Sequence, residues 1–206
     1  MISNKYKCIH VHIPKCAGTS ITRTLFNRRD RHLTALQYKT LLGASYEDYF
    51  AFAFVRNPWD RMVSFHTMCL RSNGPAHKKL LQQCTNMFGT TLFSDWVRFV
   101  QWVNNDPNTT LGHSGLDSTL ELSPQHLWLT DDSGNILVDF IGRFEQLLTD
   151  FNKVCRKLDM PDKQNTLRRL NTGDRGKYSS YYDSETRDII GDVFKIDCEK
   201  FDYSFS

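Results

Sequence analysis

Cys8-Ile9-His10-Val11-His12-Ile13-Pro14-Lys15-Cys16-Ala17-Gly18-Thr19-Ser20 joins a strand-forming run to a helix-forming one. Residues 7–13 are largely apolar and read as a strand, which stops at Pro14 because proline has no N–H for a ladder. Ile21-Thr22-Arg23-Thr24-Leu25-Phe26 continues as a helix over 18–27. A strand, a short glycine-containing turn and a helix start make an anion cradle. Unpaired backbone N–H groups and the positive end of the helix dipole point into it. Lys15 adds a mobile positive charge, while Thr19 and Ser20 either add hydroxyl donors or serve only as helix caps. The common nucleotide loop is G-x-x-x-x-G-K-[ST]. Here the lysine precedes the glycine, so this segment is a different motif.

A second junction follows about forty residues later. Tyr49-Phe50-Ala51-Phe52-Ala53-Phe54-Val55 is apolar throughout, as expected of a strand (50–55) buried on both faces of a parallel sheet. Asn57 is a good N-cap and Pro58 a good first residue for a helix over 58–71. Arg56 therefore falls at the carboxyl end of a strand, where open α/β sheets bind ligands, and its guanidinium suits a second phosphate.

Together, P-K-x-x-G-T-S at 14–20 and R-N-P-W-D-R-x-x-S at 56–64 resemble the sulfotransferases that use 3′-phosphoadenosine 5′-phosphosulfate (PAPS), closest to their carbohydrate-type branch. Further likenesses are His32-Leu33-Thr34-Ala35, Pro124-Gln125, Asp139-Phe140-Ile141-Gly142-Arg143-Phe144-Glu145 and the tail Asp197-x-x-x-Phe201-x-Tyr203-x-Phe205, with 72–120 as the main gap. The resemblance implies a single sulfotransferase domain over 1–206. Its fold would be α/β, a three-layer α/β/α arrangement with a central parallel sheet, like the P-loop nucleotide kinases. It implies PAPS as donor and PAP as product. Lys15 and the backbone of Cys16, Ala17, Gly18, Thr19 and Ser20 would hold the 5′-phosphosulfate, and Arg56 and Ser64 the 3′-phosphate. Arg175-Gly176-Lys177 would belong to a basic loop closing over the nucleotide, or else to a solvated loop.

The transferred sulfuryl group carries less charge than a phosphoryl group, so metal clamping matters less and no metal is expected. Lys15 is expected to stabilise the leaving group. The acceptor hydroxyl needs a base, and histidine, with a reference pKa of about 6.5, is the usual one. His32 lies between the two phosphate motifs, where carbohydrate-type relatives place a catalytic base. His113, His126 and Glu121 are the alternatives. His10 and His12 face one side of a strand, as two metal ligands would, but without an evident third ligand packing beside the anion loop is the reading. Gln125 and Arg143, with His113 and His126, are candidate substrate contacts, and structural hydrogen bonding is the alternative for Gln125 and Arg143. Arg61 is read as a solvated or structural charge. Trp96, Trp102 and Trp128 are candidate sugar platforms, with core packing as the alternative.

Elsewhere the pattern predicts helix 35–43, a long polar stretch at 72–89, helix 91–104, a polar loop at 105–124, strands near 126–130 and 136–141, helix 145–158, an irregular basic segment at 161–182, and helix 184–196 capped by Asp183 before an extended tail. The two polar stretches are assigned to acceptor recognition, with mobile surface insertions as the alternative. The net charge of +3 suits an anionic donor without implying nucleic acid. Six scattered cysteines form no C-x-x-C pair, so zinc is not expected; a Cys69–Cys84 bridge and a nucleophilic Cys16 are the other possibilities. No signal sequence or apolar run of roughly 18 residues is present, so a cytoplasmic chain without a membrane anchor is expected. The acceptor is expected to be a small molecule or glycan: a hydroxyl on a carbohydrate or small natural product, or an amine. Two rival functions make distinct demands. A nucleotide kinase requires magnesium and the glycine–lysine order that is missing here. A non-catalytic module holding PAPS or a glycan should have lost Lys15, Arg56 or the base, all of which are present.

Overall fold

A computed structural model of the protein describes residues 1–28, 32–105, 120–167 and 176–206. In chain order the elements are β1 (Ile2–Ser3), β2 (Cys8–Val11), α1 (Gly18–Phe26), α2 (Ala35–Leu42), β3 (Phe50–Val55), α3 (Pro58–Arg71), α4 (Pro75–Phe88), α5 (Phe93–Asn105), β4 (Phe140–Arg143), α6 (Leu147–Lys157), α7 (Ser184–Val193) and α8 (Lys195–Phe201). The described residues form a mixed α/β protein, mostly helical, with one four-stranded sheet among them in the order β1-β2-β3-β4. The chain divides into two compact units: Met1–Arg56 with Gln125–Thr172, and Asn57–Pro124 with Gly173–Ser206.

The first unit carries the whole sheet. Strands β2, β3 and β4 are parallel, with His10 opposite Phe52 and Val55 opposite Arg143, while the short β1 pairs antiparallel to β2. All four residues of β2 and five of six in β3 are buried, as two-sided burial of parallel strands requires. Gly142 on β4 leaves room for the Phe54 ring, because a Cβ there would lie 2.5 Å from Phe54 Cε1. Asp139 clamps the entry to β4: its Oδ2 accepts from Ala51 N–H at 2.7 Å, and its own N–H donates back to the Ala51 carbonyl at 2.8 Å. Helix α2 starts on a capping box in which Thr34 and Gln37 satisfy each other's orphan N–H groups.

The second unit is helical. Its core gathers Met62, Phe65 and Cys69 of α3, Leu80 and Cys84 of α4, Trp96, Phe99 and Val100 of α5, and Ile190 of α7. Asn57 caps α3 by accepting from Trp59 and Asp60 N–H, and its amide donates to the Ser204 carbonyl at 2.9 Å. Phe205 then packs edge-on against Trp59, Tyr178 and Tyr182. Arg61 is fully buried and donates to the carbonyls of Ser123 and Glu121 at 2.9 and 2.8 Å, so its charge is structural.

Four expectations are corrected. The polar stretch 72–89 is mostly helix α4, opened by Gly74-Pro75 and ended at Gly89. Its apolar face is narrow, with Leu80 and Cys84 the fully buried positions. The strand expected near 126–130 is a 3-10 turn, His126–Trp128, followed by a single bridge from Thr130 to Ile136. The next strand begins at Phe140 rather than 136. The last helix breaks at Phe194, and α8 occupies the first half of the expected tail. No Cys69–Cys84 bridge forms: none of the six thiols is in a disulfide, and burial pushes Cys8 up to about 12 and Cys84 up to about 11. Among the described residues, no helix is long and apolar enough to cross a membrane.

Candidate active site

Between β2 and α1 the backbone turns through two left-handed residues that are not glycine: Lys15 at φ 68° and Ala17 at φ 64°. Each costs of order 1–3 kcal/mol, and such strain concentrates where a ligand is gripped. The Cys16 N–H closes the turn on the Ile13 carbonyl at 3.3 Å. Alternating backbone of this kind forms a nest that turns successive N–H groups toward one side. Ala17 is also the N-cap of α1 and offers no side-chain oxygen to the first-turn N–H groups. Lys15 and Thr19 are half-buried, whereas Cys16, Gly18 and Ser20 are buried. The Cys16 thiol donates to Gln125 Oε1 at 3.2 Å inside the fold. A buried, hydrogen-bonded thiol is not placed as a nucleophile.

Arg56 stands at the tip of β3 and is fastened to this loop. Its Nη1 donates to the Lys15 carbonyl at 2.9 Å, and its guanidinium lies 3.8 Å above the Phe144 ring. Gln125 completes the strand tip as a surrogate ladder partner: its Oε1 accepts from Arg56 N–H at 2.9 Å, and its Nε2 donates to the Arg56 carbonyl at 2.8 Å. Gln125 is fully buried and presents no surface to a diffusing acceptor, so structural hydrogen bonding accounts for it. Arg143 ends β4 beside Val55, and its N–H donates to Asp150 Oδ2 at 2.8 Å. Lys153 donates to the other oxygen of Asp150 at 2.7 Å.

The same unit brings three imidazoles together. His10 and His12 stack at 5.7 Å on one side of β2, and His32 meets His12 edge-on at 4.5 Å. Trp128 stands beyond His32 at 6.3 Å. His126 is buried on the 3-10 turn after Gln125. Among the described residues, no group of three or more His, Cys, Asp or Glu side chains is placed to hold a metal ion.

Ser64 lies half-buried on α3 in the helical unit, and exposed Gly176 and Lys177 lead into the 3-10 turn Tyr178–Tyr181. His113 and Arg175 lie outside the described residues. Of the three tryptophans considered as sugar platforms, Trp96 and Trp128 are fully buried, while Trp102 is 41% exposed.

A family model described as Sulfotransferase family (sulfotransferase family 2) matches residues 1–204 of the 206. The chain belongs to the sulfotransferase family. No curated protein and no solved structure matches it. For this sulfotransferase-family chain the match spans both junction motifs and the segments around them. Two roles were not legible from the sequence. Phe144 supports Arg56, a contact between positions 88 residues apart that no local pattern announces. Gln125 ties the loop to the strand tip, and the only signal for it was the Pro124-Gln125 pair itself.

Proposed function

We propose that the chain transfers the sulfuryl group from PAPS to an acceptor hydroxyl on a carbohydrate or small natural product. One observation carries this reading within the family. The Lys15–Ser20 segment holds two left-handed residues directly before a helix start without a side-chain cap, and Arg56 fastens it. Nest and helix start together supply donors for the 5′-phosphate, so the residues suit such a donor. The donor brings a sulfuryl group whose bond to the bridging phosphate oxygen breaks as the acceptor oxygen bonds to sulfur and gives up its proton.

In this reading Lys15 neutralises the charge that grows on the leaving phosphate. His32 accepts the hydroxyl proton as general base. Arg56 serves the 3′-phosphate, a role that its place in the R-N-P-W-D-R-x-x-S motif and at the tip of β3 supports. Ser64, Arg175, Gly176 and Lys177 are kept in the donor site on the motif alone. Arg143 is a proposed acceptor contact from its placement at the end of β4, and His126 and His113 are kept as acceptor contacts from the sequence alone. The three parallel strands, with α1 following β2 and α6 following β4, support the nucleotide-kinase-like layered fold. A family match spanning 1–204 supports a single functional domain.

The test is transfer of labelled sulfate from PAPS to a panel of glycans, small alcohols and amines, with Lys15→Ala and His32→Ala alongside. Both variants are expected to lose about 100-fold or more in turnover while keeping their circular dichroism. Magnesium-dependent ATP consumption without PAPS use would replace this reading with a kinase.

A further inference from the structure

We propose that His12 is a positioning residue for the transfer, its ring seated on Gly18 and fixing the orientation of His32. This rests on the reading of His32 as the base. Gly18 is not needed for its backbone, because it is the first residue of α1 and is not among the residues with positive φ. It is needed for space. A Cβ on Gly18 would lie 1.9 Å from His12 Cδ2, 2.3 Å from Nε2 and 2.5 Å from Cγ. The glycine of the loop motif is therefore a slot for an imidazole, and the slot lies against the first turn of the helix that follows the donor loop.

The ring in that slot is itself held. His12 is 7% exposed and stacks at 5.7 Å, 15° from parallel, on His10. His10 in turn stacks on Phe52 of β3 at 5.0 Å, and its Nδ1 is 3.0 Å from Thr22 Oγ1 on α1. This column ties β2 to its neighbouring strand and to α1, so the His12 face is a rigid wall. His32 lies against that wall at 4.5 Å and 71°. Trp128 stands at 6.3 Å and 77°, and the capping box of α2 begins two residues after His32. His32, the proposed proton acceptor, comes from the connection between α1 and α2. His12 supplies the fixed surface and links it to the donor loop through Gly18. Its burial keeps it from the acceptor, so it acts through His32.

Three measurements test this: kcat and KM for PAPS, calorimetry with PAP, and the ring-nitrogen NMR shifts of His32 in histidine-labelled protein. In His12→Ala, PAP affinity stays within about twofold. Turnover falls about 100-fold, the scale of a misplaced catalytic group, and the His32 nitrogen shifts move. His12→Phe, which refills the slot with a ring and also covers poor folding of the alanine variant, restores kcat to within about tenfold of wild type. In Gly18→Ala the displaced ring disturbs both PAP binding and turnover. The double variant Gly18→Ala/His12→Ala regains PAP affinity but not turnover. If the double variant binds PAP as weakly as Gly18→Ala alone, the glycine serves the nucleotide directly and the slot is refuted. Normal turnover and unmoved His32 shifts in His12→Ala, beside an inactive His32→Ala, overturn the positioning role alone. Near-normal turnover in His32→Ala overturns it together with the base assignment.

Discussion

Replacing Gln125 by leucine removes the partner of two buried backbone groups at once. The Arg56 N–H loses an acceptor at 2.9 Å and the Arg56 carbonyl a donor at 2.8 Å, while the Cys16 thiol loses one of its acceptors, at 3.2 Å. Gln125 is fully buried, so water does not replace it without rearrangement. Each stranded backbone group costs about 1–3 kcal/mol, so Gln125→Leu is expected to destabilise by about 2–6 kcal/mol. With a urea m-value of about 2 kcal/mol/M, the unfolding midpoint falls by about 1–3 M. PAP affinity should fall as well, because the loop and the strand tip are no longer joined. Gln125→Glu supplies a sharper control. An ionised carboxylate still accepts from Arg56 N–H but has no proton to give the Arg56 carbonyl. Burial raises its folded pKa above the ordinary value of about 4.3. The protonated form is therefore favoured in the native state. Its contribution is full below the unfolded pKa and is lost as pH rises through the folded one, so the gap to wild type should narrow on acidification. A Gln125→Leu midpoint indistinguishable from wild type refutes the account of the strand tip.

Two further outcomes follow from the packing. Gly142→Ala forces a Cβ to within 2.5–2.9 Å of three Phe54 ring atoms, and Phe54 is 1% exposed. Overpacking of this kind costs about 1–3 kcal/mol, a fall in Tm of about 2–12 °C by calorimetry; an unchanged Tm would contradict the packing. His66 is buried in the helical unit with Nε2 2.8 Å from the Thr91 carbonyl, and burial holds its pKa below the ordinary value. Its contribution to stability is present above the unfolded value of about 6.5 and is lost as pH falls through the folded one. Urea unfolding of wild type should weaken more steeply below about pH 6.5 than that of His66→Phe, and parallel curves would count against the assignment.

The segments legible from the sequence were those where several local signals agree. Asn57 and Pro58 announce α3, and the unbroken apolar run announces β3 with its bounds intact. The donor loop was legible as a motif, but its left-handed residues were not, because Lys15 and Ala17 have no special liking for that backbone. Helix α4 was hidden by a surface-heavy composition, although Gly74-Pro75 and Gly89 bracket it as a start and a stop. His126-Leu127-Trp128-Leu129 was misread as a strand because a short apolar run has no decisive period, and tertiary burial of Trp128 accommodates a turn equally well. The imidazole column was half legible: alternation placed His10 and His12 on one side and beside the loop, but the approach of His32 depends on how the chain returns after α1.

The cap on α3 has a consequence for how the protein is made. Asn57 is completed by the carbonyl of Ser204, 147 residues downstream, and Trp59 is covered by Phe205. A ribosome adding about 5–20 residues per second needs about 7–30 s to travel that distance. Throughout that interval the nascent chain holds the start of α3 without its last hydrogen bond and without its aromatic lid. The helical unit therefore cannot mature in the order in which it is translated, and a chaperone binding exposed aromatic surface would find it there.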